Sequence, residues 1–175
     1  MSRLVFLFLM IMSLSAGAQS GHFKVFKDSV DGGQVFNGPV TFSDLNKEAS
    51  FTWLSSGYDL YDPDGKTIEK LQGRLKNYSL VVFLGTWCDD SHNLVPKLEK
   101  VLDKAAYPYS NLTMYGVDRG KTTLNGEDKQ YGIKLVPTII LINEGKEVGR
   151  ITESVSKSIE DDLEAIIEKD ALQNK

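Results

Sequence analysis

One cysteine in 175 residues is the first constraint on this chain. Cys88 has no partner for an internal disulfide, no companions for a four-cysteine zinc site and no second thiol for a dithiol redox cycle. Histidine is scarce as well, with only His22 and His92. A metal site from Cys88, His92 and Asp89 or Asp90 would have a single soft ligand and no distant partner, so no metal is expected. Positive charge is not in excess: 20 basic residues stand against 24 acidic ones, for a net charge of -4, which argues against nucleic acid as a partner. Low-complexity runs are missing, and 8 Phe, 7 Tyr and 2 Trp make disorder a poor description. No G-x-x-x-x-G-K-[ST] loop, no Rossmann fingerprint and no Ser-His-Asp order occurs. What remains is ordinary globular composition, 41% hydrophobic and 25% charged, and enough length for one domain with a real core.

The first residues read as a leader. Arg3 is the only charge before residue 19, Leu4–Leu14 is an apolar run broken only by Ser13, and Ser15-Ala16-Gly17-Ala18 supplies small residues before Gln19. This is the pattern of a secretory signal cleaved after Ala18. The run is too short for a membrane span of about 20 residues. The expectation is an exported protein, periplasmic or secreted, with no membrane association once the leader is removed. Such a compartment is one where disulfides persist.

Beyond the leader the chain divides into an N-terminal extension over 19–60 and a domain over 61–175. In the extension, Phe23, Val25 and Phe26 predict a short strand, Asp31-Gly32-Gly33 a turn, and Val40-Thr41-Phe42 a second strand with Ser43 as the N-cap of a helix. Residues 51–54 fit helix or strand equally. Ile68, Leu71 and Leu75 predict a helix over 67–76. Leu80–Leu84 is an uninterrupted apolar run, the mark of a central strand buried on both faces. Leu94, Leu98, Val101 and Leu102 form one stripe of a helix from about Cys88 to Lys104. Strands follow at 112–117, 138–142 and 147–151, the last two joined by a hairpin through Asn143–Lys146. Ser156 to about Leu172 closes the chain as an amphipathic helix. Strands 80–84 and 112–117 with the helix between them make a right-handed parallel βαβ unit, and the surrounding pattern places helices on both faces of the sheet.

The chemistry concentrates in Gly85-Thr86-Trp87-Cys88-Asp89-Asp90-Ser91, between the buried strand and the start of a helix. A thiol there meets unpaired backbone N–H groups and the positive end of the helix dipole, which favour the nucleophilic thiolate. At this point the chain resembles the thioredoxin family. Trp87-Cys88 stands where that family opens its W-C-x-x-C motif. Pro96 matches the proline that kinks its active-site helix, a residue that costs about 3 kcal/mol in an ordinary helix. Tyr131–Thr138 looks like the approach to its cis-proline, and Glu144–Arg150 like the hairpin that follows. The likeness runs from about residue 80 to the C-terminus, with the helix at 67–76 fitting upstream.

The resemblance implies an α/β fold, a thioredoxin-like three-layer α/β/α sandwich with a mixed central sheet. It implies a cis Val136-Pro137 bond close to Cys88, where an extended peptide can pair like an added strand. It implies protein thiols or disulfides as partners and no cofactor. The candidate site residues are Cys88 with Trp87 and Ser91, and His92 from its helical spacing to Cys88, for the chemistry, and Val136, Pro137 and Trp87 for binding.

The departures from the family pattern are equally informative. Its second cysteine falls on Ser91, and an alcohol does not resolve a mixed disulfide at neutral pH. Its buried Asp, six residues before the first cysteine, is Val82. Both parts of the resolving machinery are therefore absent together. Asp89 and Asp90 replace the usual residues between the cysteines. Each carboxylate at about 6 Å disfavours a thiolate by roughly 0.7–1.4 kcal/mol, against the about 0.3–1 kcal/mol offered by the helix end. His92 shares the Cys88 face of the helix and, protonated, would offset the pair. Otherwise it is an exposed helix residue. Two functional readings follow: monothiol exchange or isomerase-type chemistry through a mixed disulfide or disulfide-linked dimer at Cys88, and a non-catalytic peptide- or partner-binding module.

Overall fold

The computed structural model describes residues 23–173, so the expected leader at 1–18, and His22, lie outside the described part. Six strands and six α-helices follow one another as β1 (Lys24–Lys27), β2 (Gln34–Val40), α1 (Phe42–Lys47), α2 (Thr52–Leu60), α3 (Gly65–Leu71), β3 (Ser79–Leu84), α4 (Asp89–Lys104), β4 (Leu112–Gly116), α5 (Glu127–Gln130), β5 (Thr138–Asn143), β6 (Lys146–Thr152) and α6 (Ile159–Gln173). The strands form one mixed sheet in the order β1-β2-β4-β3-β5-β6. β3, the apolar run read as central, lies inside it. It pairs parallel with β4 (Val82 opposite Met114) and antiparallel with β5 (Val82 opposite Ile139).

Side chains alternate across a strand, so β3 and β5 sort their residues between two faces. Leu80, Val82, Leu84, Ile139 and Leu141 join Leu54, Leu98 and Leu163 from the helices in the main core. Val81, Phe83 and Ile140 face the other way, under Val117, Val136, Tyr131 and Ile133. The faces are covered unequally. Residues of α1, α2, α3, α4 and α6 enter the larger core, whereas the smaller is covered by Tyr131, Ile133 and Val136 of the chain that follows the short α5, together with Val117 and Trp87. Burial of these apolar side chains, at about 25 cal/mol per Å² removed from water, is the main stabilising term.

The described part of the 19–60 segment is built into the same sheet and core. β2 pairs antiparallel with β4, Val40 opposite Met114, and Phe36, Leu45 and Leu54 are buried with the rest. α2 lies against α4, and the approach is close at Gly57, where a Cβ would stand 2.5 Å from the Pro96 ring. Glycine inside a helix costs about 1 kcal/mol. Here it makes room for the proline of α4.

Local expectations were corrected at three places. Of the strand expected at 40–42 only Val40 is a strand residue, the last of β2, while Thr41 rather than Ser43 caps the helix and Phe42 opens it. The Thr41 hydroxyl accepts from the Asp44 N–H and the Asp44 carboxylate accepts from the Thr41 N–H, a reciprocal capping box. The helix read over 67–76 ends at Leu71, because Gly73 takes a left-handed backbone (φ 77) and a 3-10 turn at 75–77 follows. The last helix begins at Ile159 rather than Ser156, with the Ser158 hydroxyl accepting from the Asp161 N–H. The hairpin between β5 and β6 turns through Glu144 and Gly145, both with positive φ (48 and 78), as a type I′ connection requires.

Candidate functional site

The C-terminal ends of the parallel strands β3 and β4 lie side by side, Leu84 opposite Gly116. The loops leaving them therefore converge, which is where sites form in α/β sheets. Gly85-Thr86-Trp87 carries the chain from β3 to α4, and Cys88 is the N-cap of that helix (φ -107, ψ 122), with Asp89 and Asp90 in its first turn. The half-buried Cys88 Sγ lies 3.3 Å from the carbonyl oxygen of Val136, to which the thiol donates. The Val136–Pro137 bond is cis. Its loop is pinned by the Glu153 N–H donating to the Pro137 carbonyl at 2.8 Å, and by the Thr138 hydroxyl donating to the Leu135 carbonyl at 2.8 Å. Cysteine and proline loop, 48 residues apart at the contact, thus meet at one end of the sheet.

Ser91 is 0% exposed, and its hydroxyl accepts from the Gly85 N–H at 3.1 Å. It closes the strand-to-helix loop from within. Val82, where the family has a carboxylate, is buried among apolar side chains. Trp87 donates its Nε1–H to the Val117 carbonyl at 3.0 Å.

His92 does not stay an exposed helix residue. Its ring stacks on Trp53 at 4.5 Å between centroids. Its Nε2 lies 2.8 Å from the Thr86 carbonyl oxygen; a carbonyl only accepts, so Nε2 carries the proton. Nδ1 faces Asp89 at 3.9 Å. Both ring nitrogens are thus directed at groups other than the sulfur, and the ring braces the loop that carries Cys88.

Several residues of this region were not picked out in the sequence. The Thr86 hydroxyl donates to the Gln34 carbonyl at 2.8 Å and accepts from the Phe36 N–H at 3.2 Å. One side chain thereby satisfies two backbone groups of β2. Arg119, in a loop with no sign of a role, places its guanidinium 5.0 Å from the centre of the Trp87 ring. Its Nε donates to both Asp28 oxygens at 2.7 and 2.9 Å, and its Nη2 to Asp31 at 3.2 Å. The Asp28 side chain is only 1% exposed. The Val30 N–H, followed by Arg119, holds its carboxyl below the ordinary range. The one available signal for Arg119 was its position just beyond a strand parallel to β3. Trp53, Thr86, Trp87 and His92 line a cavity of about 260 Å³ on this flank of the cysteine. Among the described residues, no group of three or more His, Cys, Asp or Glu is placed to hold a metal ion.

A sheet of this topology, with a helix-capping cysteine against a cis-proline loop, defines a thioredoxin-like α/β protein. The thioredoxin family model matches residues 66–169, and the chain belongs to the thioredoxin family. A thioredoxin from Chlamydia muridarum (strain MoPn / Nigg) is 33% identical over 90 residues, 51% of this chain and 79% of that protein. Among solved structures, thioredoxin 2 from Pseudomonas aeruginosa PAO1 in its reduced form covers 62% of this chain and 92% of its own, at 22% identity and a TM-score of 0.38. A Pseudomonas aeruginosa protein of unknown function covers 77% and 98%, at 14% identity and a TM-score of 0.48. The family match begins within α3, so β1, β2, α1, α2 and their contacts with the site lie outside it.

Proposed function

We propose that this is an exported, periplasmic or secreted thiol–disulfide exchange protein that works through Cys88 alone. The observation that carries the reading is the half-buried sulfur at the start of α4, in contact with the Val136 carbonyl of the proline loop. The Cys88 thiolate attacks one sulfur of a substrate disulfide. A new S–S bond forms to Cys88, the substrate S–S bond breaks, and the departing thiolate takes a proton. An extended substrate offers an N–H to the Val136 carbonyl in place of the Cys88 thiol, which frees the sulfur as the chain docks. The mixed disulfide is then opened by a second thiol. If a substrate thiol attacks the substrate sulfur, Cys88 leaves and the result is isomerisation. An external thiol that attacks the substrate sulfur frees Cys88 and leaves that sulfur capped, whereas one that attacks the Cys88 sulfur releases the substrate reduced and stays on Cys88 until a second external thiol displaces it. Ser91 performs neither step, being an alcohol committed to the Gly85 N–H. The leader-like Leu4–Leu14 run supports export.

Insulin reduction under multiple turnover tests the reading, alongside trapping of a mixed disulfide by mass spectrometry. The wild type should reduce insulin poorly but form a Cys88 adduct that persists until a second thiol is added. Ser91→Cys should raise the turnover, because it places a thiol three residues after Cys88, across the first turn of α4 and within disulfide reach. Equal rates for wild type and variant would remove the account of the site. A Cys88 that resists alkylation and forms no adduct in the native protein would leave a peptide- or partner-binding module on the same scaffold.

A further inference from the structure

At the end of the sheet away from Cys88 lies a cavity of about 430 Å³, bounded by the end of β2, the start of α1, the last turns of α4 and the start of β4. Glu99 is eleven residues along α4 from Cys88, about 16 Å at 1.5 Å per residue, so this space is separate from the thiol site. Its walls are Val40, Leu112 and Met114 with the aromatic pair Phe42 and Tyr109, whose rings meet edge to face at 5.9 Å. Two carboxylates, Glu99 and Asp103, open into it, and no lysine or arginine lines it among the described residues.

The carboxylates differ. Asp103 is already solvated by protein: the Tyr58 hydroxyl donates to one oxygen at 2.7 Å and the Tyr109 hydroxyl to the other at 2.6 Å. Glu99 has the Asn46 side chain as a hydrogen-bonding neighbour and no cation within ion-pair distance among the described residues. An apolar space of ligand size with a few convergent polar groups is the usual form of a small-molecule site. Here the polar groups are acidic and the walls are aromatic, and both attract a cation.

We propose that this cavity binds a small organic amine, its protonated nitrogen on the Glu99 carboxylate and its apolar body against Phe42, Tyr109 and Met114. Burial, followed by the neighbouring Asp103 charge, pushes the Glu99 carboxyl up to about 7. That is the cost of a carboxylate in an apolar recess that lacks a positive partner, and a bound ammonium supplies one. The reading does not depend on Cys88 and stands or falls apart from the exchange chemistry.

Titration of the full mature protein with phenethylamine, followed by backbone amide NMR, tests it, with 2-phenylethanol as the uncharged counterpart. The amine should shift the resonances of Phe42, Tyr109 and Met114 saturably, and the alcohol should bind at least about tenfold more weakly. Glu99→Gln should weaken the amine by about tenfold or more and leave the alcohol unchanged. Ser43→Lys, at an exposed position on the rim, should also weaken the amine by placing a tethered ammonium at the mouth. Equal binding of amine and alcohol would overturn the proposal. So would unchanged amine affinity in either variant, or shifts confined to residues elsewhere.

Discussion

On one flank of Cys88 stands the loop of Val136 and Pro137, held by backbone bonds and one hydroxyl, with a carbonyl turned to the sulfur. On the other stand Thr86, Trp53, His92 and the Asp28–Arg119 pair, a lattice of side-chain contacts that reaches from the first strands of the chain. The first flank comes from the part of the chain that the thioredoxin family model matches; the second, the hairpin flank, takes Asp28, Gln34, Phe36 and Trp53 from outside it, the first three from the antiparallel β1–β2 hairpin and Trp53 from α2. The difference shows two ways of holding one cysteine. The proline flank turns a backbone carbonyl to the sulfur. The hairpin flank is closed by side chains and fixes the loop from behind.

The hairpin flank should be the more fragile of the two. Thr86→Val removes the donor to Gln34 and the acceptor for Phe36 at a buried position. Two backbone groups of β2 lose their partner, and denaturant unfolding should show a loss of about 2–4 kcal/mol. A loss below that of any proline-flank variant would break the comparison.

Arg119 comes next. In a Trp53→Phe background the sole tryptophan is Trp87, and Arg119→Ala should shift its emission to the red as the ring loses its cover. Arg119→Lys should restore it only in part, because a single ammonium does not reach both Asp28 and Asp31 in the manner of the guanidinium fork. The same pair sets an acid dependence. The Asp28 carboxyl is lowered in the folded state, so its stabilising contribution is complete above the ordinary carboxylate range and is lost as pH falls through the lowered value. Asp28→Asn should flatten the stability profile in that acid window, read by thermal melts across pH.

A smaller effect is expected on the proline flank. Thr138→Val removes one donor, to the Leu135 carbonyl, and should cost about 0.5–1.5 kcal/mol. Smallest is a change remote from both flanks. The Glu99 carboxyl is raised to about 7, so the folded state holds its proton more tightly than the unfolded chain, and stability falls as pH rises from the ordinary carboxylate range to about 7. Glu99→Gln should therefore raise the melting temperature at pH 8 and change little at pH 5. Discounted for the solvent that reaches this side chain, the gain is about 1 kcal/mol or roughly 2–4 °C. A gain at pH 5 as large as at pH 8 would contradict the assigned cause.

The sequence by itself determined whatever depends on neighbours along the chain. The unbroken Leu80–Leu84 run fixed the central strand, the spacing of Leu94, Leu98, Val101 and Leu102 fixed the long helix, and Trp87-Cys88 with Val136-Pro137 located the thiol and its loop. These are local signals, in which periodicity, turn chemistry and short motifs report on a few adjacent residues. Tertiary structure decided the rest. It turned His92 from a surface residue into a brace on Thr86 and Trp53, made Arg119 a bridge across 91 positions to Asp28, and gave Thr86 a bond to Phe36 50 positions away. It also assembled the Glu99 cavity from four separate elements. A polar side chain in a loop carries no periodic signature, and its partner is set by which strand ends the sheet brings side by side. That is a property of register and strand order, which no window of consecutive residues contains.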